Sequence, residues 1–183
     1  MACPPECRAV TRIAWSLAAS VAMLAAGATS AIHPRPRLLW NASASVATGL
    51  YVLRPAGELH KAELVVVDPP PALARFAEER GYLPQRVPML KRVAALPGQT
   101  VCRTGRMITI DGIARGEALT ADRQGRPLPV WQGCQRLSAG TVFLMNGWSA
   151  HSFDGRYFGL LPASTIVARA VPLWTREDPY HVR

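Results

Sequence analysis

Three clusters of residues carry the chemistry open to this chain. In "NASASVATGLY" (41–51), Ser43 and Ser45 stand two apart among side chains almost too small to pack. Read as extended backbone, the stretch puts Asn41, Ser43 and Ser45 on one face and Ala42, Ala44 and Val46 on the other. Two hydroxyls on one face suit a nucleophile and a neighbouring hydrogen-bond donor, provided a base takes the serine proton. A polar loop is the plainer alternative. The second cluster centres on Lys91 in "VPMLKRVAALPGQTV". If 88–95 is a strand, Met89, Lys91, Val93 and Ala95 share one face, and Lys91 lies on the apolar side. No Asp or Glu occurs from 81 to 110, so no local carboxylate holds the lysine charged. Burial without a counter-ion turns ammonium into amine, and a neutral lysine is a sufficient base for serine. A lysine snorkelling from an edge strand is the alternative. The third cluster, "SAHSFDGRYFGLLP" (149–162), spaces Ser152, Asp154 and Arg156 by two. A carboxylate beside a guanidinium either fixes a loop or braces catalytic pieces from behind.

The elements that must position these groups are mostly short strands. "AELVVV" (62–67) is β-branched and ends at Asp68-Pro69; "MITIDG" (107–112) meets an Asp-Gly hairpin turn; "TVFLM" (141–145) and "STIVARAVPLW" (164–174) read as further strands. "ALARFAEERGY" (72–82) is the helix-like segment, with Gly81 placed for a left-handed cap. The pattern predicts one helix-poor, mainly β domain.

Residues 13–32, "IAWSLAASVAMLAAGATSAI", run without a charge. As a helix they extend about 30 Å, the thickness of a bilayer core. Arg8 and Arg12 precede the run, which puts the N-terminus in the cytoplasm. The expected organisation is a cytoplasmic 1–12, an anchor over 13–32 and an extracytoplasmic domain over 33–183. A cleaved signal peptide competes, because Ala26-Gly27-Ala28 resembles a processing site. Cys3 and Cys7 fall before the run; Cys102 and Cys134 fall beyond it, where an oxidising compartment permits a disulfide between them. The net charge of +9 comes from 21 basic and 12 acidic residues, and among the bases only Lys61 and Lys91 are lysines. Such charge suits a surface of anionic lipid. No aromatic-basic interleaving supports nucleic-acid binding, and no CxxC or HExxH spacing supports a metal site; no cofactor is expected.

Taken in order, the three clusters resemble the boxes of the S26 signal peptidases, in particular their conjugative-transfer TraF branch. The serine box N-x-[ST]-x-S-x-P-x-G-x-Y is matched by Asn41, Ser43, Ser45, Gly49 and Tyr51. The lysine box L-K-R-V-x-x-x-P-G-[DE]-x-V is matched by Leu90-Lys91-Arg92-Val93, Pro97-Gly98 and Val101. The terminal box is matched by Ser152, Asp154, Arg156-Tyr157-Phe158-Gly159, Pro162, Ile166, Arg169-Ala170 and Pro172, and "RGYLP" (80–84) is also similar to that branch. Four positions depart: Ala47 stands where the family has proline, Gln99 where it has an acid, Gly155 where it has serine, and Ala168 where it has glycine.

The resemblance implies the β-rich Ser-Lys protease fold shared with LexA-type repressors. It implies Ser45 as nucleophile, Lys91 as general base, and the Ser45 N–H with the Ser43 hydroxyl as oxyanion hole. Ser152, Asp154 and Arg156 would support the site. The implied protein is a single-pass enzyme of the inner membrane with its catalytic domain in the periplasm. Its expected partners are an exported pre-protein or propilin substrate, membrane lipid and components of a conjugation or secretion apparatus. A general type I signal peptidase and a non-catalytic periplasmic scaffold are the alternatives.

Overall fold

The computed structural model describes residues 5–31, 37–84 and 86–176; for 5–12, 26 and 28–31 it describes the backbone alone. The chain divides into two compact units, Met1–Pro36 and Arg37–Arg183.

In the first unit, Pro5–Ala31 forms a helix, α1. Its described apolar side chains Ile13, Trp15, Leu17, Val21, Met23 and Leu24 are all exposed. Among the described residues no helix is long and apolar enough to cross a membrane. The expected anchor over 13–32 falls only partly within that description, because Ile32 and the side chains of 26 and 28–31 lie outside it. So do Cys3, the side chain of Cys7 and, of the expected cytoplasmic 1–12, residues 1–4 and the side chains of 5–12.

The second unit is mainly β and is built on two antiparallel sheets. Seven strands form the larger: β1 (Leu38–Asn41), β2 (Gly49–Arg54), β3 (Leu64–Val67), β4 (Met89–Ala95), β9 (Thr141–Leu144), β10 (Leu160–Pro162) and β11 (Ile166–Thr175). They lie in the order β1-β2-β11-β3-β4-β9-β10. β5 (Thr100–Thr104), β6 (Met107–Ile110), β7 (Ile113–Glu117) and β8 (Gly133–Arg136) form the smaller sheet, in the order β7-β6-β5-β8. The run Leu-Val-Val-Val makes β3 an interior strand with all four residues buried. Val65 and Val67 pack with Met89, Val93, Val142 and Leu144 on one side of the sheet. Leu64 and Val66 pack with Val46, Tyr51, Leu90 and Ala170 on the other. A third cluster, with Ala95, Val101, Ile108, Ile110 and Phe143, joins β4 and β9 to the smaller sheet.

Local chemistry explains where the elements begin and end. β3 starts at Leu64 instead of 62 because Ala62 adopts a left-handed φ of 65° and its N–H donates to Val93 O. The helix expected at 72–82 is α2, Pro71–Glu79, with proline in its first turn. Gly81 follows it at φ 68°, where Gly81 N–H donates to Glu78 O and Tyr82 N–H to Ala77 O, closing the helix. Asp111 and Gly112, both at positive φ, form the tight turn between β6 and β7.

Candidate active site

The serine stretch is a turn, which corrects the extended reading of 41–46. β1 ends at Asn41, and the chain bends through Ala44 and Ser45 before β2 begins at Gly49. Asn41 causes this, as a short amide that competes with ladder bonding. Its Oδ1 accepts from Ser43 N–H at 3.0 Å, and its Nδ2 donates to Ser43 O at 2.8 Å and Ala47 O at 3.0 Å. The Tyr51 hydroxyl also donates to Ala47 O, at 2.6 Å. The carbonyl of residue 47 is therefore pinned from two directions, so the missing proline is offset by hydrogen bonds. Within the turn the Ser43 and Ser45 hydroxyls lie 3.1 Å apart, and Ser45 N–H donates to Ser43 Oγ at 3.3 Å. The two groups expected to stabilise an oxyanion are thus neighbours that bond one another in this structure.

Lys91 lies mid-strand in β4, directly opposite Val65 of β3. Only 5 % of it is exposed. Alternation along β4 leaves Lys91 buried and Arg92 half-buried, as the strand reading expects. The Nζ donates to Ser152 Oγ at 2.9 Å. Burial lowers the Lys91 pKa to about 8; Asp154 opposes the shift and Arg156 reinforces it. Desolvation is the largest of the three influences and outweighs the attraction of the Asp154 carboxylate.

Asp154 and Arg156 form a buried, two-pronged pair: Nε meets Oδ1 and Nη2 meets Oδ2, each at 2.9 Å. Arg156 Nη2 also donates to Ser149 O and Ser152 O, which fixes the loop that presents Ser152 to Lys91. Asp154 additionally accepts from its own helix: α3 (Gly155–Phe158) begins with Arg156 N–H bound to Oδ1. Gly155 is required on steric grounds, since a Cβ there would lie 2.6 Å from the Phe143 ring. Gln99 joins two loops that an acid would hold less well. Its Nε2 donates to Asp111 Oδ2 and its Oε1 accepts from Leu96 N–H, so an acid at 99 would face Asp111 as a like charge. Ala168 is buried among the side chains flanking the serine turn.

Among the described residues, two buried polar ones escaped the sequence reading, of which Arg103 donates from Nη1 to Arg156 O. Asn146, fully buried just after β9, accepts from Arg92 N–H at 3.0 Å and donates to Leu90 O at 3.1 Å. It thereby clamps the backbone on both sides of Lys91. Its Nδ2 also reaches Ser152 Oγ at 3.4 Å, and its N–H donates to Asp154 Oδ2. The available signal was a lone amide ending the apolar run of 141–145.

Ser43, Ser45, Lys91 and Ser152 all line one groove of about 700 Å³. The Ser45 hydroxyl is partnered by Ser43 and the Lys91 amine by Ser152, with no direct bond between Ser45 and Lys91. Catalytic hydrogen bonds are commonly loose until substrate closes the site. Leu39, Met89, Leu90 and Phe153 give the groove apolar walls, while Tyr82 and Asp122 close another stretch of it. Asp122 is held well below the usual carboxylate range: burial raises it, but hydrogen bonds from Tyr82 and Arg126 outweigh that effect. Cys102 and Cys134 lie away from the groove, opposite each other across β5 and β8, and are joined by a disulfide. No group of three His, Cys, Asp or Glu side chains converges among the described residues.

Residues 10–174 match the family described as signal peptidase, peptidase S26. The plasmid transfer protein TraF of Escherichia coli is 33 % identical over 144 residues, covering 74 % of this chain and 81 % of the relative. A second plasmid transfer protein TraF of Escherichia coli is 35 % identical over 150 residues, covering 75 % and 76 %. The conjugal transfer protein TraF of Agrobacterium fabrum is 35 % identical over 116 residues, covering 58 % and 64 %. Among solved structures, a signal peptidase I from Enterococcus faecalis superposes with a TM-score of 0.36 at 16 % identity, covering 61 % of this chain and 96 % of that one.

Proposed function

The chain belongs to the S26 signal peptidase family, among its TraF-type members, and on that basis we propose that it is a membrane-anchored serine endopeptidase working through Ser45 and Lys91. Its substrates would be exported pre-proteins, in particular pilin subunits of a conjugation apparatus, and its architecture the Ser-Lys signal-peptidase fold. The observation that carries this reading is Lys91: a buried lysine with a pKa lowered to about 8, oriented by Ser152 and lining the same groove as Ser45.

In the proposed reaction the neutral Lys91 amine takes the Ser45 hydroxyl proton as Oγ bonds to the scissile carbonyl carbon. The resulting oxyanion is held by Ser45 N–H and the Ser43 hydroxyl, which turn from one another toward the substrate. Collapse breaks the C–N bond, and the Lys91 ammonium protonates the leaving amine. The acyl-enzyme ester is then attacked by water, which gives its proton to Lys91, and the product acid leaves as Ser45 is reprotonated. If the substrate's own terminal amine attacks in place of water, the product is a cyclic pilin. Ser152 positions the amine, and Asp154 with Arg156 holds the loop that carries Ser152.

The anchor over 13–32 and a periplasmic catalytic domain belong to this proposal. The exposed apolar side chains of α1 support them. Ser45 is thirteen residues beyond Ile32, a reach of roughly 45 Å at full extension.

The test is co-expression of the full chain with a candidate pilin precursor, followed by intact-mass analysis of the pilin. Ser45→Ala and Lys91→Ala are each expected to abolish maturation, and Lys61→Ala to leave it unchanged. A mature linear mass indicates hydrolysis, and a mass lower by one water indicates cyclisation. Normal maturation in Lys91→Ala would remove the dyad and leave the scaffold reading.

A further inference from the structure

Behind the serine turn lies a second cavity of about 450 Å³ that the proposed reaction does not use. Ala47 and Tyr51 form part of its wall, and Arg54, Arg92 and Arg169 bring three guanidinium groups to it against one carboxylate, Glu63. These charges are unevenly matched. Arg169 is engaged, with Nη1 2.9 Å from Glu63 Oε1 and Nε donating to Pro55 O. Arg54 is paired through its backbone in the sheet, but its side chain has no hydrogen bond or ion pair among the described residues. Arg92 donates from Nη1 to Ala62 O, but its Nε–H is buried without an acceptor.

The strand register makes the imbalance more pointed. Arg54 of β2 and Arg169 of β11 are direct cross-strand partners. Side chains so paired leave the sheet on one face about 5 Å apart, where like charges destabilise the pairing unless a counter-ion intervenes. Glu63 neutralises one of them, and nothing among the described residues neutralises the other. Arg92 adds a third positive charge as a lining residue of the same cavity, from a strand position opposite Leu64. Guanidinium forks match the oxygens of a phosphate better than they match any spherical anion.

We propose that this cavity is a binding site for a phosphate-type oxyanion, engaging Arg54 and Arg92 beside the Arg169–Glu63 pair. The same chemistry is offered by free phosphate and by the headgroup of an anionic phospholipid. Val171 and Pro172 on the cavity wall, followed along β11 by the exposed Leu173 and Trp174, give the site an apolar rim that acyl chains would fit. Neither Ser45 nor Lys91 takes part, so the site stands or falls separately from the peptidase reading.

The test uses the full chain in zwitterionic detergent, with inorganic phosphate titrated at constant ionic strength against chloride. Phosphate is expected to raise Tm saturably, by about 3 °C or more, whereas chloride is not. Arg54→Gln, at an exposed side chain, is expected to weaken the phosphate response about tenfold, the loss of one charge-assisted contact, and Arg54→Gln with Arg92→Gln to abolish it. Ser45→Ala and Arg136→Gln, the latter on the smaller sheet, should respond as the wild type does. Mixed micelles identify the source. If phosphatidylglycerol, but not phosphatidylcholine, raises Tm and cancels the phosphate response, a lipid headgroup is the occupant. If the phosphate response survives phosphatidylglycerol unchanged, free phosphate is. An equal response to chloride, no response to either phosphate form, or a full response in both arginine variants would overturn the site.

Discussion

Under the proposed mechanism Lys91 ties stability and activity to the same proton. Its folded pKa of about 8 lies below the ordinary 10.5, so the unfolded chain binds this proton more tightly than the folded one. The stability it contributes is complete above about 10.5 and is lost as pH falls through 8, a difference of about 3 kcal/mol from a single group. Lys91→Met removes the titration. Wild type should therefore gain on Lys91→Met in urea unfolding as pH rises from 7 to 10, and a constant difference would refute burial as the cause. In the proposed mechanism activity follows the same proton: kcat/KM should climb with pH to a plateau with its midpoint near 8, because there the amine and not the ammonium would accept the serine proton. The apolar face of Lys91 and the missing local acids were legible in the sequence, since alternation in a strand is regular. Gly155 and Gln99 were legible only as departures. Their reasons, the Phe143 ring and the Asp111 carboxylate, are contacts across the fold that no local pattern encodes.

At the scale of elements, the site depends on how strand ends are held. The loop after β9 supplies Asn146, and its amide replaces ladder bonds on either side of Lys91. Asn146→Ala would leave Arg92 N–H and Leu90 O buried without these partners. Unfolding in urea should show a loss of about 3 kcal/mol, and a loss below about 1 kcal/mol would mean the clamp is dispensable. Asn146 was hidden from sequence reading because its partners are 54 and 56 residues away. The serine turn was misread for a related reason: alternating small residues look extended, whereas the Asn41 side chain bends them. The smaller sheet is held differently, by the Cys102–Cys134 disulfide, which closes a loop of 32 residues. Chain-entropy arguments give such a link roughly 3–4 kcal/mol. Cys102→Ala with Cys134→Ala should lower the urea midpoint accordingly, and in the native protein neither thiol should alkylate until reduction. Alkylation of both without reductant would disprove the link.

For the whole molecule the question is which solvent each unit is built for. The second unit buries its apolar side chains in clusters on both sides of the larger sheet, and the charged pair inside, Arg156 with Asp154, is neutralised by pairing. α1 does the opposite: Ile13, Trp15, Leu17, Val21, Met23 and Leu24 all stay exposed. In water that surface is unfavourable by about 25 cal/mol per Å² of apolar area, a cost that a bilayer removes. Arg8 and Arg12 precede the charge-free run, and under the proposed anchoring that asymmetry of positive charge would place the N-terminus in the cytoplasm. The strands were legible because each is a local pattern; the charge-free run is legible only as composition, which lipid and a processing enzyme read differently. Cell fractionation decides between them. The full chain should stay in the inner-membrane pellet after alkaline carbonate, at its full mass of 19.8 kDa, and protease added to spheroplasts should digest it down to a short fragment containing 1–32. Recovery of a soluble periplasmic form beginning near residue 29 would replace the anchor with a cleaved signal. Proteolysis only after lysis would reverse the orientation and remove the catalytic groove from the side on which exported substrates emerge.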